Sequence, residues 1–443
     1  ADQAEPQTVF ALPLSWRRCW FLMDRMPTLS PEIALLLLGG LLLATVFAGT
    51  LSSRFGLPAL IGFLCLGMLV GVDGPGGIAF DDYLLTQGVG IACLIFILFS
   101  GGLDTDWHGV RRVALPALLL ATFGVLISAG IIALASVLIL GFSPFQGFLL
   151  GAIVASTDAA AVFAILRSTG LNLNGDVRAL IEVESGSNDP MAIFLVGAAL
   201  LFIIVPNTSP LSIVPDFAMQ MAMGAGIGFG IGYLLPEVLK RTQYRHGGLA
   251  FVISIAAALI AYGLAEVVGG NGFLAAYVAG LTAGNRTYRA REIVSTFQDG
   301  MAWLAQVVMF LTLGLLITPS NLSHVIVPGL AITFILMVIA RPVSVFICLA
   351  PFKRFNWRAK LFVSWAGLRG AVPIVLATFP MVAGVPSAFA IFNIVFFVVL
   401  LSSVIQGPTI KWMVDRLHIG TEDKPPDITN AGLGGERSPQ GPR

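Results

Sequence analysis

Long apolar runs, separated by short polar or Gly- and Pro-marked joints, fill nearly all of the chain between Ser30 and Gln406. A run of about 17–25 mostly apolar residues matches the hydrocarbon thickness of a bilayer, whereas a soluble core helix needs only one apolar stripe. The pattern predicts thirteen spans, roughly 31–51, 58–72, 85–103, 113–140, 145–167, 178–205, 214–239, 248–268, 271–284, 300–318, 325–351, 358–381 and 387–408. The second and ninth are short, and the fourth and eleventh are long enough to tilt. Lipid supplies no hydrogen bonds, so such runs fold as helices. Gly224, Gly228 and Gly232 recur every four residues in the seventh span and give one face of small residues for close helix packing. No GxGxxG spacing occurs there and no strand precedes it, which speaks against a dinucleotide-binding loop.

Composition sharpens the class. The chain has 443 residues, of which 57% are hydrophobic and 11% charged. Soluble domains lie nearer half apolar and a quarter charged. An all-α polytopic membrane protein is therefore expected. A net charge of +1 selects no partner and gives no sign of nucleic-acid binding. Cys19, Cys65, Cys93 and Cys348 are scattered without a CxxC pair and read as spectator thiols. Residues 1–30 hold Arg17, Arg18 and Arg25 but no apolar run of signal-peptide length, so they read as an N-terminal extension. Residues 411–443 read as a polar tail, disordered from Thr421 onward.

The joints alternate in charge. One set holds 17 Lys and Arg, from Arg54 through Arg111, Arg112 and Arg178 to Arg416, and the other set holds none. Cations concentrate on the cytoplasmic side of membrane proteins, which places the C-terminus in the cytoplasm and, with an odd span count, the N-terminus outside. Only Arg341 and Arg369 remain within spans.

Polar residues at mid-depth carry the chemistry. Thr157-Asp158 lies about twelve residues into its span, and Asp189 and Arg369 each eleven, ~17 Å from the span ends at ~1.5 Å per residue. A carboxylate there is expensive unless it is paired, protonated or bound to a cation. Asp189 is expected to bind a monovalent cation and a proton in alternation. Ser185 shares its helix face, and Glu184 and Asn188 form the neighbouring stripe, rotated by about 100°. Pro190 removes a helical hydrogen bond from the Gly186 carbonyl and is expected to loosen the helix there. Ala155-Ser156-Thr157-Asp158 and Gly367-Leu368-Arg369-Gly370-Ala371-Val372-Pro373 predict two broken helices at the midplane. Thr157 can offer a carbonyl or hydroxyl oxygen, and Asp158 is placed to neutralise half-helix N-termini. Glu184 and Arg369 are expected to form a structural ion pair, with Arg341, followed by Pro342, as core support.

These motifs resemble the CPA1 group of cation/proton antiporters, and within it the bacterial potassium/proton antiporters of the cell volume regulation protein A type. The resemblance spans about residues 31–410. It implies two inverted six-helix repeats with crossed broken helices, in which 31–112 and 214–318 are scaffold and dimerisation helices and 113–213 with 319–410 the moving core. It implies a homodimer in the bacterial inner membrane, embedded in lipid. Asp189 is then the shared cation- and proton-binding carboxylate. Ser185 and the Thr157 main chain are added ligands, and Asn188 matches the residue preceding the binding Asp. Electroneutral one-for-one exchange of K⁺ for H⁺ follows, without a cofactor. Two departures stand out: Ser100 replaces an acidic residue before Gly101-Gly102, and relatives carry a cytoplasmic regulatory domain after the last span.

Other readings stay open on the residues alone. Na⁺/H⁺ exchange would use the same oxygens. A passive channel needs a continuous pore and a filter-like repeat, and the sequence has no such repeat. An intramembrane hydrolase lacks a dyad, since His108, His246, His324 and His418 all fall in joints or the tail. The chain is not expected to be an enzyme.

Overall fold

A computed structural model of the chain describes residues 30–205, 209, 213–241 and 248–421. The expectations for the N-terminal extension up to residue 29 and for the tail from 422 fall outside the described residues. Helix dominates, and the strands among the described residues are a single pair of two-residue pieces. Among the described residues, ten helices are long and apolar enough to cross a membrane, and Ala59–Val70, Gly272–Gly284 and Ala371–Val382 are shorter apolar ones. Each predicted span coincides with one or two of these helices.

The described residues up to Phe47 belong to one unit and those from Ala48 onward to a second. The described part of the first is the start of α1 (Pro31–Arg54), whose Leu35, Leu36 and Phe47 are exposed, as lipid-facing residues should be.

In the second unit, α2 (Ala59–Val70) and α3 (Tyr83–Asp104) are followed by α4 (Trp107–Leu119), which passes through a π-helical turn at Leu120–Gly124 into α5 (Val125–Leu140). Next come two half-helices, α6 (Pro144–Ala155) and α7 (Ala159–Ser168), then β1 (Asn172–Leu173) and the 30-residue α8 (Gly175–Ile204). Helices α9 (Ile213–Arg241), α10 (Gly248–Val267), α11 (Gly272–Gly284) and α12 (Arg291–Leu316) follow. The earlier pattern then returns. Helix α13 (Ile326–Phe334) passes through a π-helical turn at Ile335–Ala340 into α14 (Arg341–Cys348). Two half-helices, α15 (Trp357–Trp365) and α16 (Ala371–Val382), precede α17 (Ala388–Leu417), also of 30 residues, and β2 (Gly420–Thr421).

So a π-interrupted span, a broken span and a long helix occur twice. The two copies run in opposite directions. Strand β1 immediately precedes α8, β2 immediately follows α17, and the two strands pair, Asn172 with Thr421 and Leu173 with Gly420. The start of one long helix thus meets the end of the other, the hallmark of an inverted repeat.

Part of the expected tail is ordered. Helix α17 runs nine residues past 408 to Leu417 because Ile410, Met413, Val414 and Leu417 continue its buried face. Polar Lys411 and Arg416 merely alternate with that face, which is what made the segment look like the start of a tail.

Helices in lipid gain little from hydrophobic association and depend on close backbone approach. Gly224, Gly228 and Gly232 of α9 are buried, and a Cβ on them would run into the carbonyls of Asn271, Ala275 and Ala279 on and beside α11. The small face predicted for the seventh span is thereby accounted for. Gly228→Val should destabilise the protein by about 1–3 kcal/mol through overpacking. The check is a lowered thermal midpoint of the solubilised protein, with Gly226→Val, which meets open space, as the neutral control.

Candidate functional site

The two helix breaks lie against each other in the middle of the fold. Ser156 (φ −61°, ψ 143°) and Asp158 (φ −116°, ψ 99°) leave the helical region between α6 and α7. Neither Gly nor Pro is needed, because short polar side chains can take over backbone hydrogen bonds. Asp158 does so as N-cap of α7, accepting from the Ala161 N–H at 3.1 Å. The second break, Ala366–Gly370, has two glycines and no helical continuity until α16. The Asp158 N–H donates to the Leu368 carbonyl at 2.8 Å, tying break to break.

Cut helices expose partial charges, positive at N-termini and negative at C-termini. Each is answered. The Asp158 carboxylate packs against Gly370, the N-cap of α16, where a Cβ would overlap it. Asp158 therefore caps α7 and lies at the start of α16. Arg369 Nη1 donates to the Ala155 and Ser156 carbonyls, each at 2.6 Å, at the C-terminus of α6. Gln406 Nε2 donates to the Trp365 carbonyl at 2.9 Å, at the C-terminus of α15.

That use of Arg369 corrects one expectation. Glu184 pairs with Arg341, Oε1 to Nη1 at 2.5 Å, and not with Arg369. Both partners are buried, at 1% and 5% side-chain exposure, so each neutralises a charge that water cannot reach. Arg369 is occupied by carbonyls, and Arg341 is the one other cation within the spans. Arg341 also lies against Gly367 and donates weakly to the Val363 carbonyl at 3.5 Å.

Asp189 differs from its neighbours. It is only 6% exposed, and the Ser156 hydroxyl donates to its Oδ1. Four ion pairs occur among the described residues and none includes Asp189. Around it, the Ser185 hydroxyl donates to the Thr157 carbonyl at 2.8 Å and accepts from the Ala159 N–H at 3.0 Å. Asn188 Nδ2 donates to the Thr157 hydroxyl at 2.6 Å. Asn188 Oδ1 is buried without a hydrogen-bond partner. The predicted residues Thr157, Asp158, Ser185, Asn188 and Asp189 thus converge on one place, with the α8 stripe stitched to the first break.

Two details were not anticipated. Ser156, a polar residue of the predicted break, is the group bonded to Asp189. Helix α8 is continuous through Gly186 and Pro190, so the proline does not break it. Asn271 Nδ2, from the start of α11, donates to the Pro190 carbonyl at 3.3 Å. Ser100, the departure noted before Gly101-Gly102, donates to Asp299 Oδ1 at 2.8 Å, so α12 brings a carboxylate to that position.

Two crossed, charge-compensated helix breaks beside a buried carboxylate lacking a counter-ion define a secondary transporter of the cation/proton antiporter class. Residues 41–416 match the family model described as sodium/hydrogen exchanger, transmembrane, and the chain belongs to that family. It is 42% identical over 401 residues to the K⁺/H⁺ antiporter NhaP2 of Shewanella baltica, covering 90% of this chain and 69% of that one. It is 40% identical to the K⁺/H⁺ antiporter NhaP of Alkalimonas amylolytica, over 89% of this chain and 69% of that one. The Na⁺/H⁺ antiporter ApNhaP of Aphanothece halophytica is more distant, at 29% identity over 77% of this chain and 68% of that one. The fold matches the sodium proton antiporter MjNhaP1 of Methanocaldococcus jannaschii at pH 8, with TM-score 0.74 and 24% identity, over 87% of this chain and 99% of that one.

A double-mutant cycle checks the revised pairing. Arg341→Gln should lower stability by about 3–5 kcal/mol, because it strands the Glu184 charge. Adding Glu184→Gln should recover a large part of that loss, a coupling that the Arg369→Gln and Glu184→Gln combination should lack. Denaturation midpoints of the four-member cycles decide it.

Proposed function

We propose that this antiporter exchanges K⁺ for H⁺, with the two ions competing for the Asp189 carboxylate. The observation that carries this is the electrostatic isolation of Asp189 among compensated neighbours. Asp158 answers two helix N-termini, Glu184 has Arg341, and Arg369 has two carbonyls. Asp189 has one hydroxyl. A buried carboxylate in that position needs a proton or a cation. The oxygens of Ser156, Thr157, Ser185 and Asn188 are hard donors of the kind that monovalent cations accept.

Either load leaves the site with the same net charge, because Asn188 contributes no second carboxylate. The core (113–213 with 319–410) can then move against the scaffold (31–112 with 214–318) without carrying a bare charge across the low-dielectric layer. The empty, ionised site moves poorly, which couples the two fluxes one for one. Asp158 and Arg369 keep the breaks neutral throughout that movement. The protein works as a homodimer in the bacterial inner membrane and its lipid, with its N-terminus outside and its C-terminus cytoplasmic. It uses no cofactor and catalyses no covalent reaction. The charge asymmetry of the joints supports the orientation.

K⁺ is favoured by the K⁺/H⁺ exchange named for the relatives at 42% and 40% identity. Na⁺ is the second reading, favoured by the 29% relative. Purified protein in proteoliposomes with an internal pH dye distinguishes them. K⁺ should collapse a preset pH gradient at lower concentration than Na⁺ or Li⁺, the rate should ignore an imposed potential, and Asp189→Asn should abolish the response. Exchange that persists in Asp189→Asn overturns the assignment, and a rate that follows the potential overturns the one-for-one stoichiometry.

A further inference from the structure

Glu182, Gly186 and Asp189 are spaced i, i+4 and i+7 along α8, so they form one stripe over about two turns, ~10 Å long. At one end of the stripe is a cavity of about 140 Å³ whose lining includes Thr105, Asp106, Arg112, Arg178 and Glu182. Its mouth reaches solvent on the Arg-rich side, where the Asp106 and Arg112 side chains are 67% and 61% exposed. At the other end is Asp189. The stripe is therefore the short way from water to the site.

One residue stands across it. The Tyr277 ring of α11 lies over Gly186 so closely that a Cβ there would meet its Cε2 and Cζ at 2.5 Å. Tyr277 is 5% exposed, and its hydroxyl is buried beside Thr105 and Glu182, on the vestibule side of the ring. A purely space-filling role needs no hydroxyl and would be served by phenylalanine. The ring is held from the opposite side. The Tyr277 carbonyl abuts Gly102, and Gly280 and Gly284 abut the Phe99 and Leu103 carbonyls, locking α11 to α3. Tyr277 thus belongs to the α3–α11 pair, whereas Gly186 and Asp189 belong to α8.

We propose that Tyr277 is the gate on the Arg-rich side of the transport path. Its ring, seated on Gly186, closes the passage between the Glu182 vestibule and Asp189, and its hydroxyl offers an oxygen to a passing monovalent cation once α8 shifts beneath it. This explains why position 186 lacks a side chain in a helix that is otherwise continuous. It rests on the exchange function proposed above.

Site accessibility tests it without requiring transport. Asp189→Cys is made in full-length protein whose four native cysteines are replaced by Ser, and a cationic, membrane-impermeant methanethiosulfonate is added from each side of oriented vesicles. With Tyr277 present, labelling from the Arg-rich side should be slow. With Tyr277→Ala it should rise at least ~10-fold, as when a minor open state becomes dominant. Gly186→Ala, whose methyl displaces the ring, should do the same and serves if Tyr277→Ala does not fold. Labelling from the opposite side should not change. Unaltered labelling in both variants overturns the gate, as does acceleration from both sides, which would mean general loosening. Tyr277→Phe, with Asp189 intact, should keep the seal and raise the cation KM for exchange several-fold, and an unchanged KM overturns the hydroxyl's role. Absence of exchange in the unsubstituted protein would defeat the function and leave the labelling result standing.

Discussion

Compensation of buried charge organises this protein. Removing an ion from water into a low-dielectric interior is expensive by several kcal/mol even after relaxation, so each buried charge must be answered locally. The chain answers with unusual economy. Asp158 caps one half-helix and lies at the start of the other. Arg369 closes the carbonyl end of α6. Glu184 and Arg341 neutralise each other between α8 and α14. Among the buried carboxylates of the described residues, Asp189 is left with one hydroxyl and no counter-ion, and the proposed load would supply its neutrality. The proposed transport cycle follows from that remainder.

The inverted repeat makes the arrangement possible. Interrupting one helix exposes partial charges of both signs, and placing the second break beside the first lets side chains from one repeat satisfy the other. Asp158 of the first repeat serves α16 of the second, and Arg369 of the second serves α6 of the first. The Asp158 N–H to Leu368 carbonyl bond joins them directly. Neither break would be tolerable alone at that depth, because lipid offers no replacement partners.

Much of this was legible from residue order. Apolar run length located the helices, because bilayer thickness imposes it. Ser-Thr-Asp and Gly-Leu-Arg-Gly at mid-span marked the breaks, because such residues compete with or forgo helical hydrogen bonds. Pairing was less legible. Arg341 and Arg369 lie at similar depth, and sequence fixes depth without fixing azimuth, so Glu184 had two eligible partners. Ser156 was visible as polar, but only the turn of the extended segment aims it at Asp189. Pro190 read as a point of loosening, and α8 continues through it. Gly186 figured in the sequence only through its carbonyl, and the Tyr277 ring, 91 positions away, shows what its missing side chain makes room for. Helix α17 hid its last two turns behind the charges of Lys411 and Arg416.

Competition for one carboxylate has a stoichiometric signature at equilibrium, free of membranes and gradients. Purified protein in weakly buffered detergent solution, titrated with K⁺ near the pH at which Asp189 is protonated, should release about one proton per cation bound. The same titration of Asp189→Asn should release none. Saturable cation binding with no proton release from the unsubstituted protein would contradict the account at its root.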